Sequence, residues 1–197
     1  MSRESTSVKI KIILSGILFD LVTDIPEPLS KPSPEPEKAA RRLIRSACLK
    51  ASAVSATLSI PAGIAGIAAA LPDMVAVWKI QAQLVSDIAL TYGKVAILNR
   101  ESMMLCLFRH SAAHLLKDLM IHTGSKVIVH KLSTTAFKKT VEKISLKISS
   151  RFIRRITLKA LPALGALGNG ALSCWDTAQV GKTALAYFTN FRTNAEK

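Results

Sequence analysis

Four residues of the stretch RHSAAHLLKDLMIH have side chains that could bind a metal ion. His110, His114, Asp118 and His122 recur every four residues, so successive members lie on one face of a helix. His110 and His114 are therefore candidates for two ligands of one ion, with Asp118 as a third ligand or as a partner of a ligand. Each four-residue step rotates the helix by about 40°, which turns His122 away from His110. The stretch lacks the glutamate of H-E-x-x-H, so hydrolytic zinc chemistry has no catalytic base. We expect a polar helix face here, with neither a metal nor another cofactor.

No nucleotide-binding loop or catalytic nucleophile stands out in the sequence. The run VGKTAL at 180–185 is similar to the end of a phosphate-binding loop, but Asp176 occupies the position where that pattern requires glycine. The three cysteines lie among apolar neighbours without an adjacent base, which is typical of free thiols in a reducing compartment. They are Cys48, Cys106 and Cys174. The sequence therefore predicts no catalytic residues.

Two carboxylates have the strongest claim to a functional role. Asp73 and Asp176 each follow a segment of small apolar residues and precede an amphipathic pattern. At a helix start, an aspartate caps free N–H groups and interacts favourably with the helix dipole, which is the simpler interpretation. The alternative is an enzyme that acts on lipids or acyl groups. Such an enzyme requires Asp73, Gln81, Asn169 or Asp176 to converge on one pocket.

Periodic apolar residues and helix-terminating signals predict an all-α fold. Pro72 and Asp73 open an amphipathic pattern that Tyr92 and Gly93 close, with Gly93 as a C-terminal stop. Two short alternating runs are weak β signals, and we expect no partner strands for them. These runs lie at 8–12 and 126–132. Helices are expected at about 10–25, from about residue 39, at 72–93, at 99–124, at 134–160 and at 174–192.

Proline content divides the chain near residue 36. Five of the eight prolines lie between Pro26 and Pro36, which predicts an extended linker because proline fixes φ and removes a backbone donor. The expected organisation is a leader of a short helix and this linker over 1–36, a compact helical domain over 37–193 and a tail over 194–197.

A stretch of 22 residues at 51–72 carries no charge, although the chain has a net charge of +14. Its length matches a membrane span, yet it consists mainly of Ala, Ser and Gly, and Pro61 interrupts it. A similar segment occurs at 161–176, where small apolar residues again lead into an aspartate. Glycine and alanine allow helices to approach closely. We therefore expect two short helices around Pro61, packed at the centre of the bundle against the second segment, and keep a single span as the alternative.

The excess of positive charge is concentrated in one stretch. Residues 126–160 contain ten basic residues and one acidic residue, which gives a net charge of +9. A helix with a Lys/Arg face beside an Ile/Val/Phe face is typical of binding to anionic lipid. The candidate contacts are Lys138, Lys139, Lys143, Lys147, Arg151, Arg154, Arg155 and Lys159. A solvated outer face of a bundle explains the same pattern, whereas nucleic acid is disfavoured because aromatic residues for base stacking are scarce.

Several motifs resemble those of the EcsC family. They are the Pro-Asp helix start with Asp73, Trp78, Gln81, the Tyr92-Gly93 end, and the Gly-rich segment through Asn169 that leads into Asp176. The resemblance covers about 36–190. It implies a mainly bacterial protein that is associated with membrane-protein handling, with no reaction firmly attached to the family.

The expected function is non-enzymatic and membrane-associated. We expect a basic amphipathic helix over 131–159 to bind anionic lipid or a membrane-protein partner such as a transporter, with self-association left open. The expected location is the cytoplasmic side of the inner membrane, peripherally bound or partly inserted. The lipid- or acyl-acting enzyme and the nucleic-acid-binding protein remain the alternatives.

Overall fold

Six α-helices make up most of the described residues in the computed structural model. The structure describes the backbone of residues 2–57, 64–116, 120–123, 126–129, 131–158 and 162–190, and the side chains of 12–57, 71–116, 131–148 and 168–190. The helices are α1 (Ser2–Thr23), α2 (Pro36–Thr57), α3 (Ile64–Thr91), α4 (Arg100–Ala112), α5 (Thr134–Leu158) and α6 (Pro162–Asn190). Short 3₁₀ turns lie at Val95–Ile97 and Ala113–Leu115. The predicted all-α class is confirmed.

One short β-hairpin interrupts the helices. Strands β1 (Met120–Thr123) and β2 (Lys126–Val129) pair antiparallel, with Met120 opposite Val129 and Thr123 opposite Lys126. The expectation that the run at 126–132 has no partner strand is therefore wrong, because its partner immediately precedes it. The other alternating run, at 8–12, lies within α1.

Helix α4 begins where the sequence predicts and ends earlier. Asn99 caps it reciprocally: its side chain accepts from Ser102 N at 2.9 Å, and its own N–H donates to Ser102 Oγ at 2.9 Å. The predicted continuation to Gly124 is wrong, since the helix ends at Ala112 and β1 follows the 3₁₀ turn. Pairing with β2 outweighs a helical preference that the β-branched residues of β1 support only weakly.

The predicted end of α3 at Gly93 is confirmed, whereas its predicted start at Pro72 is wrong. Gly93 adopts φ of +66°, its N–H donates to Leu90 O at 2.8 Å, and Lys94 N donates to Ala89 O at 2.8 Å. This is the glycine-terminated helix end that satisfies otherwise unpaired carbonyls. Pro72, however, lies inside α3 and does not open it, because a proline removes one intrahelical donor without necessarily ending a helix.

Asp176 is likewise inside its helix. Helix α6 starts at Pro162, a favourable residue for the first helical turn, and runs unbroken through the Gly-rich segment. The helix predicted over 174–192 is therefore too short, because α6 begins twelve residues earlier. Because Asp73 and Asp176 both lie away from helix starts, the capping role expected for them is wrong.

The leader helix α1 belongs to the same hydrophobic core as the rest of the bundle. Leu14, Leu18 and Val22 lie at four-residue spacing and are almost fully buried. Phe19 packs edge-on against Phe137 of α5, with ring centroids 5.9 Å apart. Helix α2 begins at Pro36, at the predicted end of the linker.

The small-residue segments meet at the interface between α2 and α6. A Cβ added at Gly170 would lie 2.9 Å from Ser52 Oγ and 3.2 Å from Ser52 O, so the two backbones approach closely because position 170 has no side chain. This confirms the central, Gly-dependent packing. Two helices flank residues 58–63, which lie outside the described residues and contain Pro61. They are longer than expected, because 51–57 is the end of α2 and the part of the segment from residue 64 is the start of α3.

Within the described chain, none of the helices combines the length and the apolar character that crossing a membrane requires.

Candidate functional site

A buried polar cluster joins the three central helices at one level of the bundle. Ser55 Oγ of α2 donates to Asp73 Oδ1 of α3 at 2.7 Å, and Ser55 Oγ lies 2.7 Å from Ser173 Oγ of α6. All three side chains are buried. Since the single proton of Ser55 goes to Asp73, Ser173 donates to Ser55. Asp73 therefore acts as an acceptor that links α2 directly to α3 and, through Ser55, to α6.

A second polar cluster lies two helical turns further along α3. Gln81 Nε2 is 3.0 Å from Asp176 Oδ2 and 3.2 Å from Thr177 Oγ1, and His110 Nε2 of α4 is 2.8 Å from Asp176 Oδ1. Both oxygens of Asp176 therefore accept hydrogen bonds from other helices. Eight residues of helix separate Asp73 from Gln81, a rise of about 12 Å, so the two clusters are distinct.

The second cluster contains two buried atoms that lack a hydrogen-bond partner among the described residues. They are Gln81 Oε1 and His110 Nδ1. Gln81 uses its amide group as a donor only, and His110 presents one nitrogen to Asp176 while the other faces no partner. The cluster has the polar groups that a binding site requires. Its hydrogen bonds, however, connect helices α3, α4 and α6 to one another.

The residues predicted to form an enzyme pocket are divided between these clusters. Asp73 belongs to the first and Gln81 with Asp176 to the second, while Asn169 lies on α6 one turn before Ser173. A separate cleft of about 520 Å³ lies between α1 and α3, and none of these four residues lines it. Of the residues that carry the family resemblance, Trp78 does line this cleft, where it packs edge-on against Phe108 with ring centroids 6.0 Å apart.

Tyr92 and Gly93 lie at the end of α3, away from both clusters. The Tyr92 hydroxyl accepts from Thr189 Oγ1 at 3.1 Å, and Lys94 Nζ lies 5.9 Å from the Tyr92 ring centroid. The hydrogen bond between Tyr92 and Thr189 joins the end of α3 to the end of α6. Tyr92 therefore has a structural role in the bundle, and Gly93 forms the turn that ends α3.

The two candidates for a metal site whose side chains are described, His110 and His114, have different hydrogen-bond partners. His110 bonds Asp176, whereas His114 Nδ1 lies 3.0 Å from Lys147 Nζ of α5. Asp118 lies outside the described residues. Among the residues that are described, no group of three or more His, Cys, Asp or Glu side chains is arranged to hold a metal ion.

The basic helix α5 lies on the surface of the bundle with one face in the core. Phe137, Val141, Ile144 and Ile148 are buried, and they recur at the spacing of one helix face. The opposite face carries exposed Lys138, Lys139 and Lys143, whereas Lys147 is half-buried. Arg151, Arg154 and Arg155 continue the helix, their side chains lying outside the described part, and Lys159 lies outside the described residues altogether.

Contacts from α4 hold the start of α5 in place. Arg100 Nη2 donates to Leu132 O at 3.1 Å, and Leu132 N donates to Glu101 Oε1 at 3.3 Å. Arg100 and Glu101 also form an ion pair at 2.9 Å in which Glu101 is almost fully buried. These hydrogen bonds hold the backbone of Leu132, two residues before α5 begins, and so help to orient the helix that carries the basic face.

Sequence reasoning missed two exposed apolar residues on α6. Trp175 is 58% exposed and Leu172 is 45% exposed on α6, and the Trp175 ring packs edge-on to His110 at 6.4 Å between centroids. In the sequence, Trp175 follows a Gly-rich segment and is not distinguished from the apolar residues around it. Only its helical phase relative to the buried Ser173 and Thr177 indicates that it faces outward.

The three cysteines are free, as predicted. Burial raises the pKa of Cys106 to about 12, an effect that the nearby Arg109 only partly opposes. Burial also raises the pKa of Cys48 to about 12, helped by its hydrogen bond to Cys174. Neither thiol forms the nucleophilic thiolate at neutral pH.

Comparison of the chain with known protein families, curated proteins and solved structures finds no match. The resemblance to the EcsC family accordingly stays a prediction.

Proposed function

We propose that this chain is a non-enzymatic, EcsC-like protein that binds anionic membrane surfaces through the basic face of α5. The observation that carries the proposal is the exposed run of Lys138, Lys139 and Lys143 on a helix whose opposite face is buried. Each lysine near an anionic bilayer contributes about 1 kcal/mol of attraction at physiological ionic strength. Several lysines on one rigid face therefore support reversible binding without any apolar insertion of α5.

The burial of the apolar face favours peripheral contact over insertion of this helix. Phe137, Val141 and Ile144 would have to leave the core before they could enter lipid, at a cost of about 1.5–3 kcal/mol for each large apolar side chain. Binding by charge alone requires no such rearrangement. This sharpens the expectation from the sequence, in which both faces of the helix were assigned to the lipid.

The remaining classes have less support. Nucleic-acid binding without sequence preference commonly uses exposed aromatic side chains, yet Phe137, the aromatic residue among the described α5 side chains, is fully buried. The carboxylates that an acyl-acting enzyme would use are engaged in hydrogen bonds between helices. We place the protein at the cytoplasmic face of the bacterial inner membrane, as the family resemblance suggests.

Liposome flotation tests the proposal. The full chain is expected to float with vesicles that contain phosphatidylglycerol, to stay unbound with phosphatidylcholine vesicles, and to be released by 0.5 M salt because the contacts are screened. The triple variant Lys138→Glu, Lys139→Glu, Lys143→Glu is expected to lose most of this binding.

A matched control separates a specific face from total charge. Arg42, Arg45 and Lys50 are exposed on α2, so their replacement by Glu changes the net charge by the same amount on a different helix. Equal loss of binding in both variants would contradict a role for the α5 face. Binding to native membranes but not to lipid vesicles would instead indicate a membrane-protein partner, and salt-sensitive binding to DNA or RNA without vesicle binding would favour nucleic acid.

A further inference from the structure

The cleft between α1 and α3 has an apolar lining that one face of each helix supplies. Its volume of about 520 Å³ lies within the range of small-molecule sites. The apolar residues that line it are Ile17, Leu21, Val75, Trp78 and Ala82. Trp78 and Ala82 are buried, and the other three side chains are half-buried. Because the space is already present, an apolar group can enter it without rearrangement of the core.

The Pro-rich linker connects the two walls of this cleft. Pro26 and Gln83 both line it, and Gln83 Nε2 donates to the carbonyl oxygen of Glu27 at 2.9 Å. Helix α1 is anchored in the core by Leu14 and Leu18, which are almost fully buried. The shape of the cleft is therefore part of the fold.

Charged side chains of both signs line the same cleft. Asp20 and Asp24 lie one helical turn apart on α1, and Lys79 lies on α3. All three side chains are exposed. The ion pairs formed among the described residues involve none of them. The two carboxylates and the ammonium group thus share one cleft without neutralising each other by direct contact.

We propose that this cleft binds a lysophospholipid whose headgroup carries a phosphate and a primary ammonium. The ammonium lies between Asp20 and Asp24, the phosphate lies at Lys79, and the single acyl chain follows the apolar lining. The ligand carries both charges because a cation alone would leave Lys79 unmatched beside it, whereas an anion alone would meet two carboxylates. A primary ammonium is favoured over a quaternary one, since it donates charge-assisted hydrogen bonds to carboxylate oxygens. The site shares no residue with the basic face of α5 and goes beyond the proposed function.

Calorimetric titration of the full chain with lysophosphatidylethanolamine, kept at monomeric concentrations, tests the proposal. We expect saturable binding, and binding roughly tenfold weaker for lysophosphatidylglycerol, which lacks the ammonium, and for dodecylammonium, which lacks the phosphate. The variant Trp175→Phe locates the site, because Trp78 is then the single tryptophan and lines the cleft. Its emission should change as the ligand binds.

Substitution of the exposed charges provides a matched control. The double variant Asp20→Asn, Asp24→Asn and the single variant Lys79→Gln should each weaken binding of lysophosphatidylethanolamine roughly tenfold. Both should fold, because the replaced side chains are exposed. The double variant Glu37→Gln, Glu142→Gln makes the same change in charge as the aspartate pair at exposed positions of α2 and α5, and it should bind as the wild-type chain does.

The contrary outcomes are equally defined. Absence of binding, or unchanged affinity in the aspartate double variant, would overturn the inference. If lysophosphatidylglycerol or dodecylammonium binds as tightly as lysophosphatidylethanolamine, the ligand is wrong. If heat is released while Trp78 emission stays unchanged, the site is wrong. None of these results alters the flotation expected from Lys138, Lys139 and Lys143, so the two proposals can fail separately.

Discussion

At the scale of single residues, burial decides the chemistry that each polar side chain can perform. Asp73 and Asp176 have the side chains of catalytic carboxylates, yet their oxygens accept hydrogen bonds from neighbouring helices. Buried polar groups of this kind are costly unless they are paired, and pairing makes them specify which helices meet. Residue type alone does not distinguish a catalytic carboxylate from one that holds helices together.

Cys106 allows a prediction with a defined sign. Its folded-state pKa is about 12, above the value of 9.0 for an unperturbed thiol, so the native state retains the proton that the unfolded chain releases. This contribution to stability is complete below pH 9 and is lost as the pH rises from about 9 to about 12. The excess in unfolding free energy of wild-type protein over Cys106→Ala should therefore shrink between pH 8 and pH 11. Urea titrations at both pH values measure it, and a constant difference would show that the thiol is not protected by burial.

At the scale of secondary-structure elements, the close approach of α2 and α6 organises the centre of the bundle. The contact depends on positions without side chains, since Gly170 faces Ser52 and a Cβ at Gly181 would collide with the side chain of Ile44. The same helix pair carries Ser55 and Ser173, which bond at 2.7 Å. Small residues thus determine the distance between the helices, and the polar pair determines their register.

Two glycines of α6 form a matched test of this packing. Gly168→Ala adds a Cβ to open space and is expected to raise the unfolding free energy by about 0.5–1 kcal/mol, because alanine favours the helix. Gly170→Ala gains the same helical preference but places the Cβ 2.9 Å from Ser52 Oγ. Overpacking of this kind costs about 1–3 kcal/mol, so the net effect should be destabilising. Chemical denaturation of both variants checks the opposite signs, and stabilisation by both would contradict the tight interface.

At the scale of the whole molecule, the Pro-rich segment is attached to the bundle along α3. Asp87 Oδ1 accepts from Leu29 N at 2.6 Å and from Ser30 N at 2.9 Å, and Gln83 Nε2 donates to Glu27 O at 2.9 Å. With α1 in the core and the linker bound to α3, the first 36 residues contribute to the stability of the fold.

Removal of the Asp87 carboxylate should loosen this attachment. Asp87→Ala leaves two amide donors without their acceptor, and we expect a loss of about 1–3 kcal/mol in unfolding free energy, with faster proteolysis between residues 26 and 36. Asp87→Asn keeps one acceptor oxygen and should lose less. Limited proteolysis with denaturant titration measures both effects, and an unchanged cleavage rate in Asp87→Ala would show that the linker is held by other contacts.

Features that depend on neighbouring residues along the chain could be predicted without the fold. The all-α class, the start of α4 at Asn99, the end of α3 at Gly93 and the bounds of α5 follow from local periodicity and from capping residues. These signals act within a few residues, so they can be read without the fold.

Contacts between segments that are distant in sequence account for the features that local patterns did not predict. Pro72 lies within α3 and Asp176 within α6, and strand β1 occupies the end of a predicted helix. His110 bonds Asp176, whereas His114 contacts Lys147. The exposure of Trp175 is of the same kind, because it depends on which face of α6 the other helices cover. Local propensity cannot determine such outcomes, since they are fixed by hydrogen bonds and burial between segments up to 126 residues apart.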